Sequence, residues 1–133
     1  MVGYIDSEMG NISIDTEVIA QYAGHAALDC FGIVGMATIS MRDGLAKLLK
    51  GDNVSKGVNV QLIQETFDAE DGSAEIKAEN QLIIDFHIIV AYGVNIKTVV
   101  NNLISSVKYQ IEDYTSMKVK TINVFVEGVR VID

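Results

Sequence analysis

Gln81-Leu82-Ile83-Ile84-Asp85-Phe86-His87-Ile88-Ile89-Val90-Ala91-Tyr92, broken by Gly93, is the stretch whose reading decides the fold. It is long, apolar and rich in β-branched residues, with Asp85 and His87 set into it, so it reads as a strand. A helix follows. Its apolar positions are Ile96, Val99, Val100, Leu103, Ile104, Val107, Ile111 and Tyr114, and steps of three and four put them on one face. Asn95 stands just before, where its side chain can accept from a free helical N–H. After Thr115 and Ser116, Lys118 to Val131 alternates around Ile122, Val124 and Val126 as a further strand. Strand, helix and strand form one unit, and the rest of the chain is arranged around it.

Upstream of that unit, Asp71-Gly72 lies within an acidic stretch between Glu65 and Glu79. Asp-Gly suits the two positive-φ positions of a tight hairpin. Gly57–Glu70 and Ser73–Tyr92 are therefore expected as two long antiparallel strands. Further back, Asp43–Lys50 has the spacing of a short helix, and Gly51–Lys56 reads as a polar loop. Ile33–Met41 alternates as a strand, preceded by Gly32 as a left-handed stop. A first helix is capped by Asp15 or Thr16 and runs through Val18, Ile19, Tyr22, Ala23, Ala26, Ala27 and Cys30. Its alanines and Gly24 call for close packing on the sheet or on the other helix. Glu17, Gln21, His25 and Asp29 take its polar side. Gly10–Ile14 reads as a short strand, and residues 1–9 as a loosely ordered start.

The expected fold class is α+β: a two-layer sandwich with a mostly antiparallel sheet and two main helices packed on one face. The open face carries Ile83, Asp85, His87 and Ile89. A length of 133 residues without prolines, repeats or linkers fits a single domain over 1–133.

Ten basic residues against eighteen acidic ones give a net charge of −8. Such a chain repels phosphate backbones and anionic lipid, so neither nucleic acid nor direct membrane insertion is expected as a binding mode. No basic region followed by an apolar run marks a signal peptide, and no window reaches the length of a membrane span. Cys30 stands alone, which excludes a disulfide framework or a multi-cysteine metal site and fits a reducing compartment. On an apolar helix face it is expected to be buried and inert.

Candidate chemistry is sparse. Around Gly72 the acidic stretch fails the calcium-loop pattern, because Phe67 and Ala69 stand where acidic ligands belong and Ala78 where the closing glutamate belongs. Gly32-Ile33-Val34-Gly35 spells the loop that KH domains use to clamp nucleic acid, but it leads into a strand and lacks flanking basic residues. Asp85 and His87 point the same way from one strand, yet positions i and i+2 are about 6.5–7 Å apart, too far for a direct bond in most rotamers. There is no phosphate-binding loop, dinucleotide fingerprint, zinc-binding helix motif or nucleophile elbow. No catalytic, cofactor or metal residues are therefore assigned, and no cofactor is expected. The second helix presents Lys97, Asn101, Asn102, Ser105, Ser106 and Lys108, a mild face that is easily desolvated. Asn101 and Ser105 on that face, and Asp85 and His87 on the sheet, are the candidate protein-contact residues. The alternative is a small ligand-binding domain or enzyme that uses the sheet face around Asp85 and His87.

Several stretches, taken in order, resemble the alkaline-shock and general-stress family of Gram-positive envelope stress proteins. They are Gly10–Ile19, Phe31–Met36, Lys56–Val60, Val90–Ile96 with Val99-Val100, and Val119–Val129. The resemblance implies a cytoplasmic protein without established enzymatic activity, tied to envelope stress through protein–protein contacts. It also implies self-association as a homo-oligomer, and a position at the inner face of the membrane held by a small membrane-anchor protein. It carries no catalytic residues to transfer.

Overall fold

The computed structural model describes residues 2–39, 46–49, 51–68 and 76–131. Its elements are β1 (Val2–Ser7), β2 (Gly10–Asp15), α1 (Thr16–Leu28), β3 (Ile33–Ile39), β4 (Ala46–Leu49), a 3-10 helix (Gly51–Gly57), β5 (Val58–Asp68), β6 (Ile76–Ala91), α2 (Ile96–Thr115) and β7 (Lys118–Arg130). The fold class is α+β, as the residue pattern indicated. β6 is the central strand. Along one edge it pairs antiparallel with β5, from Val58↔Phe86 to Asp68↔Ile76, and then with β3 at Ile33↔Val90 and Met36↔Ile88. Along its other edge it pairs parallel with β7, from Gln81↔Lys118 to Ala91↔Arg130. β4 extends the sheet beyond β3. Parallel neighbours need a long crossover connection, usually a helix, and α2 supplies it.

Both main helices form on the expected stripes, although α1 ends at Leu28, short of Cys30. The Asp15 side chain accepts from Glu17 N at 3.0 Å, and the Asn95 side chain accepts from Thr98 N at 3.0 Å. α2 ends at Ser116, which adopts a left-handed conformation and donates its N–H to Glu112 O at 2.9 Å. The buried Thr115 hydroxyl donates to Ile111 O at 2.7 Å and accepts from Met117 N at 3.1 Å, so the sharp turn into β7 leaves that hydroxyl satisfied.

The core lies between sheet and helices. Leu82, Ile84, Phe86, Ile88 and Val90 of β6 are buried, and with them Val99, Leu103, Val107 and Ile111 of α2 and Ile19, Ala23, Ala26 and Ala27 of α1. The α2 stripe is narrower than the spacing suggested, because Ile96 and Tyr114 remain about half exposed. Tyr114 instead stacks on Tyr22 with ring centroids 4.0 Å apart, which fastens α2 to α1.

Several expectations are corrected. The start of the chain is not a loose segment over its described residues: Val2–Ser7 and Gly10–Asp15 form an antiparallel hairpin. A Cβ at Gly3 would run into the Met117 side chain, which shows how closely that hairpin sits on the start of β7. Ala46–Leu49 is a strand and not part of a helix, pairing with Met36–Ile39. The neighbouring strand β3 supplies the hydrogen bonds of this segment in place of a helix. The rest of the expected helix, the turn at Asp71-Gly72 and the end of the expected strand at Ser40-Met41 lie outside the described residues. Gly51–Gly57 is a 3-10 helix with Val54 fully buried, not a polar loop. Gly24 of α1 is what admits it, since a Cβ there would stand 2.9 Å from Val54 Cγ2. The close approach expected of the small-residue helix face is therefore made to this 3-10 turn. Ile89, expected on the open face, is only 2% exposed. Register shifts beside it, between Ile88 and Ile89 against β7 and between Ile33 and Gly35 on β3, break the simple alternation.

Candidate functional site

Two places hold the chemistry of the described residues. The first is the open face of the sheet where β6 and β7 run side by side. Parallel register sets Asp85 opposite Asn123 and His87 opposite Phe125. Asn123 Nδ2 donates to Asp85 Oδ1 at 2.9 Å. His87 Nδ1 lies 2.7 Å from Glu127 Oε1, and the imidazole stacks on Phe125 with centroids 4.9 Å apart. Glu127 is the extra residue of a bulge, because Ile88 pairs with Val126 and Ile89 with Gly128. The bulge turns the Glu127 carboxylate toward the imidazole. Asp85 and His87, read together from the sequence, thus share a face but bond to separate partners on β7. The two cross-strand pairs hold the register of the parallel strands. As a general base His87 is half committed, since one ring nitrogen and one ring face are already engaged.

The second place lies between the end of α1 and the middle of α2. Asp29, Cys30, Phe31, Asn102 and Ser106 line a cavity of about 260 Å³. α1 stops at Leu28, so Cys30 lies in the turn beyond the helix and not on its apolar face. Its thiol donates to Ala26 O at 3.6 Å and is half-buried. Ser106 Oγ accepts from Gln110 Nε2 at 2.8 Å. Phe31 is 78% exposed at the cavity rim. Asn101 and Ser105, the residues singled out on α2, are exposed on the helix surface, while their chain neighbours Asn102 and Ser106 face the cavity. The Asn/Ser-rich face was legible as a surface. That it shares a cavity with Asp29 and Phe31 was not, because nothing local in the sequence sets how two helices cross.

Burial pushes the Cys30 thiol above its ordinary range; a hydrogen bond from Ser106 works the other way, and the Asp29 carboxylate adds to the rise. The folded state therefore favours the protonated thiol. That contribution to stability is complete below the unfolded thiol pKa and is lost as pH rises through the higher folded one. The thiolate is the reactive form, so Cys30 should be alkylated by iodoacetamide more slowly than a cysteine peptide at pH 8, with its rate midpoint at higher pH. A native thiol that reacts as fast as the same chain in urea would contradict this geometry.

Among the described residues no three His, Cys, Asp or Glu side chains gather as a metal site, and no helix is long and apolar enough to cross a membrane.

Comparison with known proteins agrees with the whole-chain pattern. Residues 4–131 match the model of the alkaline-shock (ASP23) family, described as having a cell envelope-related function. The chain is 40% identical over 126 residues to the Bacillus subtilis protein YloU, covering 94% of this chain and 92% of that one. It is 29% identical over 129 residues to Spy1614 of Streptococcus pyogenes, covering 96% and 94%. It is 27% identical over 125 residues to Bacillus subtilis YqhY, covering 94% and 81%. No solved structure matches.

Proposed function

This chain belongs to the alkaline-shock family, with its cell envelope-related function, and from that premise we propose that it is a non-enzymatic adaptor acting through protein–protein contacts and self-association. A basic or membrane-anchored partner would supply whatever attachment to the membrane the negative chain lacks by itself. The observation that carries the self-association reading is the outer edge of β7. β7 pairs with β6 along one side, and no strand among the described residues pairs with the other. Bulges at Lys120 and Glu127 bracket a straight run, Thr121–Val126, in continuous register with Ile83–Ile88. An open edge of that length is a template for another strand. Phe125, Val129 and Val131 are about half exposed or more along it, and Tyr92, whose N–H donates to Arg130 O at 2.8 Å, is 75% exposed beside its end.

A second copy is the simplest partner for that edge. In an antiparallel pairing centred on Asn123, Thr121 of one copy faces Phe125 of the other. Molar mass by light scattering should then rise with concentration for the native chain. The double variant Thr121→Lys/Phe125→Lys places like charges opposite one another and should weaken association by about ten-fold or more. Both positions are exposed or half-exposed, so circular dichroism should be unchanged. A native chain that stays monomeric at every concentration, and that captures no envelope protein, would remove the support for this reading.

For the alternative use of the sheet face around Asp85 and His87, the Glu127 carboxylate on one ring nitrogen could orient His87 as a base, but Asp85, the partner that reading names, is bonded to Asn123 instead.

A further inference from the structure

We propose that the cavity between α1 and α2 is a receptor for one arginine side chain carried on a basic segment of a partner protein. The proposal names a contact within the adaptor reading, but on a different face from the β7 edge.

The cavity's size selects the class of occupant. At about 260 Å³ it falls below the range of pockets that enclose a drug-sized ligand, about 300–1,000 Å³, and its lining is mixed, slightly more polar than apolar. That suits a single polar side chain. Its charge selects the sign. Asp29 is the C-cap of α1, where the helix already presents the negative end of its dipole. A carboxylate there works against the fold, and no ion pair engages it among the described residues. No basic residue lines the cavity, and the chain as a whole carries −8, so an anion is repelled and a cation drawn in.

The rim selects the shape of the cation. Phe31, two residues on from Asp29, is exposed and lines the same cavity, so an occupant with a flat face can use an aromatic ring as well as a carboxylate. A guanidinium is planar, stacks on aromatic rings and presents a fork that matches a carboxylate; an ammonium does neither as well. Asn102 lines the cavity with a side-chain amide, which can accept a hydrogen bond. Ser106 also lines the cavity, its hydroxyl oxygen accepting from Gln110.

The test is a titration of the full chain, followed by amide NMR in about 0.15 M salt, where diffuse attraction is screened beyond about 8 Å. The probes are N-acetyl-argininamide, N-acetyl-lysinamide, N-acetyl-citrullinamide and free arginine. The expected result is a saturable shift of the amides of Asp29 to Gly32 and of the Asn102 side chain with the arginine amide. Citrulline, equal in shape but neutral, should bind about ten-fold more weakly. Asp29→Asn and Phe31→Ala should each weaken binding by about three-fold or more, and since both residues are exposed the variants keep the native spectrum elsewhere. Equal binding of citrulline or lysine, no effect of Asp29→Asn, shifts centred elsewhere, or no saturation up to about 20 mM, well above a millimolar Kd, would overturn the proposal. Tighter binding of free arginine than of the blocked amide would also overturn it, by pointing to a metabolite. None of these outcomes bears on whether the native chain self-associates, so the adaptor reading stands or falls separately.

Discussion

Replacing Phe86 by alanine should remove about 3–5 kcal/mol of unfolding free energy, the cost expected for deleting a buried phenylalanine ring. Phe86 is fully buried at the middle of β6. Val58 stands opposite it on β5 and Val124 on β7, so its ring fills the centre of three strands against the helix layer. Those neighbours belong to paired strands and cannot collapse far into the space left behind. Domains of this size are stable by only about 5–15 kcal/mol, so the variant would lose roughly a fifth or more of that margin. Urea unfolding should show a large fall in midpoint with little change in slope. Phe125 provides the internal comparison. It stands opposite His87, one residue out of phase with Phe86, and is 47% exposed. Phe125→Ala should therefore cost far less, mainly the stack on His87. Similar losses at the two positions would mean that the core does not lie on the face assigned to it.

That contrast also shows how far local pattern carries. The alternation along β6 identified the buried face correctly from Leu82 to Phe86, because strand side chains alternate with period two wherever pairing is regular. It failed at Ile89, where register shifts on both neighbouring strands interrupt the alternation. The two helices were legible almost down to their caps, Asn95 outright and Asp15 as one of two candidates with Thr16, since capping is chemistry between near neighbours. β4 and the 3-10 helix were not. Ala46-Lys47-Leu48-Leu49 is a good helical sequence, and only pairing with β3, a non-local event, makes it a strand. Val54 looked like one apolar residue in a polar loop, and its burial depends on the gap left by Gly24 some thirty positions earlier.

The candidate sites follow the same rule. That Asp85 and His87 share a face was readable from their spacing. Their partners Asn123 and Glu127 lie 38 and 40 positions away and depend on a parallel register and a bulge that no motif announces. The Asn/Ser face of α2 was visible as a desolvatable surface. The cavity appears only when the end of α1 is laid against it.

Gly57→Ala should be the second most damaging of these substitutions, at about 1–3 kcal/mol. Most glycine-to-alanine changes are tolerated or even stabilising where the backbone conformation suits both residues, because alanine has less freedom to lose on folding. Gly57 is different for a steric reason. It closes the 3-10 helix and leads directly into β5. A Cβ at this position would stand 2.9 Å from Ala37 O, 2.9 Å from Met36 Cβ and 3.2 Å from Ala37 N. Two of those three atoms are backbone of β3, which is held by β6 on one side and β4 on the other and cannot rotate aside as a side chain would. The extra methyl must instead push the 3-10 helix away from β3. That lifts Val54, fully buried on Gly24, out of its seat. The loss should thus appear both as a lower urea midpoint and as faster hydrogen exchange in β3 and the following turn, with α2 and β7 protected as before. Gly93→Ala provides the control, because its methyl would meet nothing within 4 Å and its cost would come only from a φ of +92°. If Gly57→Ala left exchange around Ala37 unchanged, the close seating of the 3-10 helix on β3 would be wrong, and with it the account of why Gly24 and Gly57 stand where they do.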